Sequence, residues 1–305
     1  MAQTAVRRQL LQMRRVQSDE ARGQPHDENH ERFVHLRQCR EIGLALQGLP
    51  WHELGMLLDC LYLGAFRVTQ AADLLRNLVL AQAGDEADWI RQSLANIALA
   101  TQERDLYIFM GLAPRHLGKA DLAPSAKDLA AADAACPGWS PEGWSIDGAA
   151  RILALLAAPR NRAFAERFKD LRRTADVAEL IALYRGLPLY PEPDSLHFEV
   201  GEGLRSNIKA VFESIAHRNP FPRDHFDDHR WNHMILKALF VESRLTPILG
   251  LEARANPELA RILVDYAEER IAAGRPVPQD LWIPLKPFRD DRAVAAILPR
   301  EEAVQ

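Results

Sequence analysis

Five of the ten histidines lie between His197 and His233. Such density raises metal ligation first, because neutral imidazole is the commonest side-chain donor to divalent ions. His229 and His233 stand four residues apart, the spacing at which two rings on one helical face share an ion, and Asp224, His225 and Asp227 lie just upstream. A plainer reading outweighs this one. Lys237 falls next on the same helical line, where its ammonium would oppose a bound cation, and Asp227 suits a helix N-cap. His229, Arg230, Asn232, His233 and Lys237 together make one polar helical face. No metal is expected, with His229 and His233 as the weak alternative, and no cofactor is implied.

A second cluster holds Arg205, Asn207, His217, Arg218 and Asn219, and runs on to Asp224, His225 and Asn232. Guanidinium forks, amides and imidazoles brought to one place recognise anionic or polyhydroxylated ligands, since arginine offers parallel donors to phosphate or carboxylate. The rigid, donor-poor Asn219-Pro220-Phe221-Pro222 turn would position its neighbours; against this, Arg218 and Asn219 equally suit the capping of helix-end carbonyls. If the chain is an enzyme, His225 with Asp224 or Asp227 is the acid–base set the spacing offers. Arg115 and Lys119 flank a glycine in an expected loop and form a secondary anion site, whereas Asp147 and Arg151, four apart, read as ordinary helix partners. The Gly-Lys spacing of a P-loop is missing, as are a nucleophile elbow, a Rossmann fingerprint, a His-Glu-x-x-His and an EF-hand. Ser206 and Ser214 have no base in register.

These residues must be positioned by helices. Leu54 to Ala81 (divided at Gly64), Trp89 to Ala100, a short helix from Ser125 closed by Pro137-Gly138-Trp139, and Ser145 to Ala158 all show apolar residues near a 3.6 period. Thr174 is expected to cap the next helix, from Asp176 to Tyr184. Phe226-Asp227 followed by Trp231 fits a capped and stapled start, the cap being worth about 1 kcal/mol. Trp231, Met234, Ile235, Ala238 and Leu239 then form one apolar stripe. Asn256-Pro257 opens a helix that Gly274 closes. Ala113-Pro114-Arg115 is expected to open a loop. No sustained period-2 alternation occurs, so the fold class is all-α: a stacked helical array, irregular and solenoid-like, built of HEAT-like helix pairs without a fixed repeat. A polar Arg-rich arm over residues 1–29 would precede a helical domain over 30–290 and a tail over 291–305.

The totals narrow the function classes. A net charge of −4 over 305 residues lacks the basic footprint of a nucleic-acid binder. Three scattered cysteines, Cys39, Cys60 and Cys136, make neither a disulfide framework nor a zinc pair and suit a reducing compartment. Arginines 7, 8, 14 and 15 precede no apolar signal region, and the longest apolar run, Ile152 to Ala158, is far short of a membrane span. A cytoplasmic protein that is not membrane-embedded is expected.

Long strings of the sequence resemble the EboA family of bacterial proteins. They run from Ala113-Pro114-Arg115 through Gly118-Lys119-Ala120-Asp121-Leu122, then Pro137-Gly138-Trp139 with Trp144 to Arg151, and Thr174-Ala175-Asp176-Val177 through Leu187-Pro188-Leu189. They continue with Arg205 to Asn219-Pro220, Asp227 with Trp231-Asn232, Leu236-Lys237-Ala238-Leu239-Phe240, and Arg254-Ala255-Asn256-Pro257 to Gly274-Arg275. The resemblance spans roughly residues 50–288. It implies a component of a specialised-metabolite cluster, beside a membrane prenyltransferase, metal-dependent hydrolase or isomerase barrels and a sugar-cyclising synthase, that serves the making or export of a small metabolite. His225, Asp227, Trp231 and Asn232 match the family pattern, whereas His229 and His233 are often replaced there, which moves weight to Arg205, Asn207, Arg218, Asn219 and His225. The expected role is binding of a small anionic or polyol metabolite, phosphorylated or cyclitol-like, or of a pathway enzyme, on an inner helical face. The alternatives are an isomerase or hydrolase acting on such a metabolite, and a scaffold with no small-molecule site.

Overall fold

In the computed structural model, α5, Ile146–Ala157, runs through the middle of the fold; residues 64–297 are described, so the N-terminal arm and the part of the expected Leu54 to Ala81 stretch before Gly64 fall outside them. Every residue of α5 from Ile146 to Leu155 is buried, and a helix buried on all faces must be surrounded. Around it pack α1 (Gly64–Gln82), α2 (Ala87–Leu99), α3 (Arg104–Leu117) and α7 (Val177–Arg185). Further helices stack outward: α4 (Ala126–Ala135) on α1, α6 (Phe164–Thr174) and α9 (Lys209–Ala216) on α7, and α8 (His197–Leu204) on α9. The chain continues through α10 (Phe221–His225) and α11 (Asp228–Phe240), then α12 (Pro257–Ala272) on α11 and α13 (Arg292–Ile297) on α12. Among the described residues these thirteen α-helices and five short 3₁₀ turns stand with one isolated antiparallel bridge, Asp121 to Ser145, and no strand. The fold is an all-α stack of helices. Residues expected as the start of a tail instead form α13, whose Val294 is buried.

Side-chain caps account for five of the helix starts. Ser125 and Asp128 close a capping box on α4, and Ser145 caps α5 through the Gly148 N–H. Asp227 caps α11, accepting from the Arg230 N–H at 2.7 Å. Asn256 with Pro257 opens α12, and Gly274, at φ 65°, follows its end. The expected stripe of α11, Trp231 to Leu239, is buried. Two sequence expectations need correction. Thr174 ends α6, its hydroxyl donating back to Asp170 and Leu171 carbonyls, and it is Asp176, boxed with Glu179, that caps α7.

Pro114, expected to open a loop, sits inside α3. Proline has no N–H, so the carbonyl of Met110, four residues back, loses its helical donor. Arg151 of α5 replaces that donor through Nε at 2.9 Å. The same guanidinium holds Asp147 at 3.0 Å and lies 3.8 Å from Glu179 of α7. Asp147 and Arg151 are each only 3 % exposed. The pair is the i, i+4 helix partnership its spacing suggests, and its burial makes it also a tie between α3, α5 and α7. Helix ends elsewhere are finished by cations: Lys237 donates to the carbonyls of Leu204 and Ser206 at the end of α8, and Arg254 to those of Pro222, Arg223 and Phe226 at the end of α10 while lying over the Trp231 ring.

Candidate functional site

Two antiparallel backbone bonds fix the start of the site: Leu122 N–H to the Trp144 carbonyl at 2.7 Å and Ile146 N–H to the Ala120 carbonyl at 2.9 Å. They hold the turn Glu142-Gly143-Trp144 ahead of α5, and Gly143 takes the left-handed φ of 72° that the turn needs. The opposite wall is built by Asn219, 4 % exposed and fully engaged. Its amide donates to the carbonyls of Tyr184 and Ser214, and its oxygen accepts from the Phe221 N–H. Asn219 thus ties the His217–Asn219 turn to the ends of α7 and α9. Arg218, beside it, is held at φ 49°, a conformation that costs a non-glycine residue free energy and is kept here by its N–H bond to the Pro247 carbonyl at 2.9 Å.

Between these walls lies a cleft of about 280 Å³, lined by Glu142, Trp144, Ile181, Arg185, Glu213, His217, Arg218 and Asn219, with Gly143, Ala210, Ser214 and Pro247. That volume is at the small end of what holds a metabolite. Arg185, from the last turn of α7, donates to the Gly143 carbonyl at 2.9 Å, and among the described residues no carboxylate reaches ion-pairing distance of it. Burial, together with the like charge of Arg218, weakens its hold on its proton, while Asp121 opposes this; an arginine nonetheless stays charged. Arg218 is exposed and only loosely opposed by Glu142, at 4.0 Å. Two arginines thus share one cleft with Trp144 in its lining and Glu213 and Glu142 as acceptors.

His217 is anchored beside them. Its Nε2 lies 2.9 Å from the Arg244 carbonyl and 3.1 Å from the Ser243 hydroxyl, which donates to the Glu213 carboxylate at 2.7 Å. Burial pushes its imidazole below the usual histidine range; the Arg244 carbonyl and Glu213 act against that, and Lys209 and Arg218 with it.

Of the expected ligand-binding residues, the cleft unites His217, Arg218 and Asn219, the last as framework. Arg205 is exposed at the end of α8 and paired with Glu202, and Asn207 is exposed in the following turn. Asn232 is buried in a reciprocal amide pair with Asn256, at 3.1 and 2.9 Å. His225 packs tilted against the Phe221 ring, with Nδ1 3.8 Å from Asp194. None of these four lines the cleft. The acid–base set is not assembled either: Asp224 is gripped by Arg223 at 2.6 and 2.9 Å, and Asp227 is spent on its cap and on Arg230. His229 and His233 are exposed with ring centres 4.3 Å apart, and no third donor joins them among the described residues. Arg115 lies in the last turn of α3, not in a loop, and both it and Lys119 are exposed. Sequence reading missed Arg185, which looks like a routine cation at a helix C-terminus, and Glu213 and Ser243, which no motif marks.

Among known proteins, a family model described as "Metabolite traffic protein EboA" matches residues 71–286. No curated protein and no solved structure matches the chain.

Proposed function

The chain belongs to the EboA family, and from that premise we propose that it carries a small polar metabolite, bound by its anionic end between Arg185 and Arg218. One observation supports this above the rest: two guanidinium groups meet in a formed cleft without a carboxylate close enough to neutralise both. Arginine forks suit phosphate or carboxylate, and partial burial strengthens such contacts by excluding water. Trp144 and Ile181 offer apolar contact to a ring or chain, and Glu213 and Glu142 accept from hydroxyls. Handover to a pathway enzyme, in the cytoplasm or at a membrane-bound partner, fits an open cleft at the surface. Among the described residues no helix is long and apolar enough to cross a membrane.

A thermal-shift series with sugar phosphates, cyclitol phosphates and prenyl diphosphates tests the reading. At least one anionic class is expected to raise the midpoint, with the rise lost in the Arg185→Gln, Arg218→Gln double variant. No response from any class, or a response unchanged in the double variant, contradicts it.

A further inference from the structure

The hydrogen-bond chain behind His217 fixes which of its nitrogens carries the proton. A backbone carbonyl can only accept, so Nε2, 2.9 Å from the Arg244 oxygen, must donate. The neighbouring Ser243 hydroxyl spends its one hydrogen on the Glu213 carboxylate, which also only accepts; the serine oxygen therefore turns a lone pair toward Nε2. Two acceptors converge on one ring nitrogen and set the Nε2–H tautomer. The other nitrogen, Nδ1, has no hydrogen-bond partner among the described residues, yet it is not among the buried atoms left unpaired, so it is reached by solvent. His217 lines the cleft. The charged groups around the ring are Glu213 and Lys209 of α9, Arg218 of its own turn, and Arg185 and Glu142 across the cleft. The buried setting, with Lys209 and Arg218, disfavours a second proton, against the pull of the Arg244 carbonyl and Glu213.

We infer that the Nδ1 lone pair of His217 is a hydrogen-bond acceptor for a hydroxyl of the ligand, so that the cleft selects anions that also carry a hydroxyl, phosphorylated or carboxylated polyols, over plain organic phosphates and diphosphates. The inference rests on the binding role proposed above and adds a ligand class to it. The arginines attract any anion; the imidazole adds discrimination, because a bare lone pair beside a phosphate with no hydroxyl is left facing an acceptor. A site that hydrogen-bonds a hydroxyl penalises the analogue lacking it, and for a partly exposed acceptor one such bond corresponds to about tenfold.

The test compares myo-inositol 1-phosphate with cyclohexyl phosphate, which share ring size and anion and differ in the hydroxyls, by calorimetry on the full chain. The wild type is expected to bind the inositol phosphate about tenfold more tightly, and His217→Phe to bring the two affinities together. Imidazole nitrogen NMR on the wild type gives a readout that needs no variant: Nε2 protonated and Nδ1 bare in the free protein, with Nδ1 shifting on addition of the inositol phosphate alone. Equal affinities for the two probes, a preference that survives His217→Phe, or an Nδ1–H tautomer would overturn the inference and leave the anion-binding reading standing. If neither phosphate binds, the inference falls, and the anion-binding reading is decided by the remaining classes of the thermal-shift series.

Discussion

At the scale of single residues, Arg151 shows how a charge comes to be buried. Pro114 leaves the Met110 carbonyl without a helical donor, Asp147 faces inward on α5, and one guanidinium serves both. Replacing it by methionine keeps the bulk but strands a carboxylate and a carbonyl in the core, and is expected to cost about 3–5 kcal/mol in urea unfolding. Adding Pro114→Ala to that variant restores an N–H to the Met110 carbonyl and should recover about 1 kcal/mol; no recovery would mean that this carbonyl is not what Arg151 relieves. His217 gives the pH dependence at this scale. Its folded pKa lies below the ordinary 6.5, so the unfolded chain takes up a proton first as pH falls. Stability is full above about pH 6.5 and declines below it. His225, lowered by burial against the pull of Asp194 and Asp224, adds to the same slope. In His217→Gln, whose amide can still donate to the Arg244 carbonyl, the acid-side decline of the unfolding free energy should become shallower, and an unchanged slope would assign it to other groups.

Among the elements, the contact of α8 with α7 and α9 depends on an absent side chain. A methyl at Gly203 would run into the Tyr184 ring and the Ile215 side chain, and Tyr184 cannot yield freely because its hydroxyl bonds the Glu199 carbonyl at 3.0 Å. Gly203→Ala, an overpacking change, should cost about 1–3 kcal/mol, measurable as a lower denaturation midpoint, whereas the same change at Gly201, where nothing lies within 4 Å, should be neutral or better. Helices of this kind were legible in the sequence where a cap and an apolar stripe coincide, as at Ser145 with α5 and Asp227 with α11. They were misread where a long-range partner overrides the local signal. Pro114 is a breaker on its own, and only Arg151, 37 residues later in the sequence, makes it tolerable inside α3. Thr174 and Asp176 both suit a cap, and the choice fell to Asp176 because Glu179 stands three residues on to complete the box.

For the whole molecule, the all-α stack and the family were readable from periodicity and from long matching strings, and half of the candidate site was not. His217, Arg218 and Asn219 sit together in sequence and stay together in space. Arg205, His225 and Asn232 share their segment but are turned to other duties, because helices α8 to α11 present successive residues to different sides. Arg185 and Trp144 enter from earlier parts of the chain that only folding brings near. The metabolite is proposed to lie in this cleft and not beside Arg205 or His225. A crystal structure of the full chain with myo-inositol 1-phosphate measures it directly. The phosphate is expected between the Arg185 and Arg218 guanidinium groups with a hydroxyl on His217 Nδ1; ligand bound against Arg205 or His225, with the Trp144 cleft left to solvent, would contradict it.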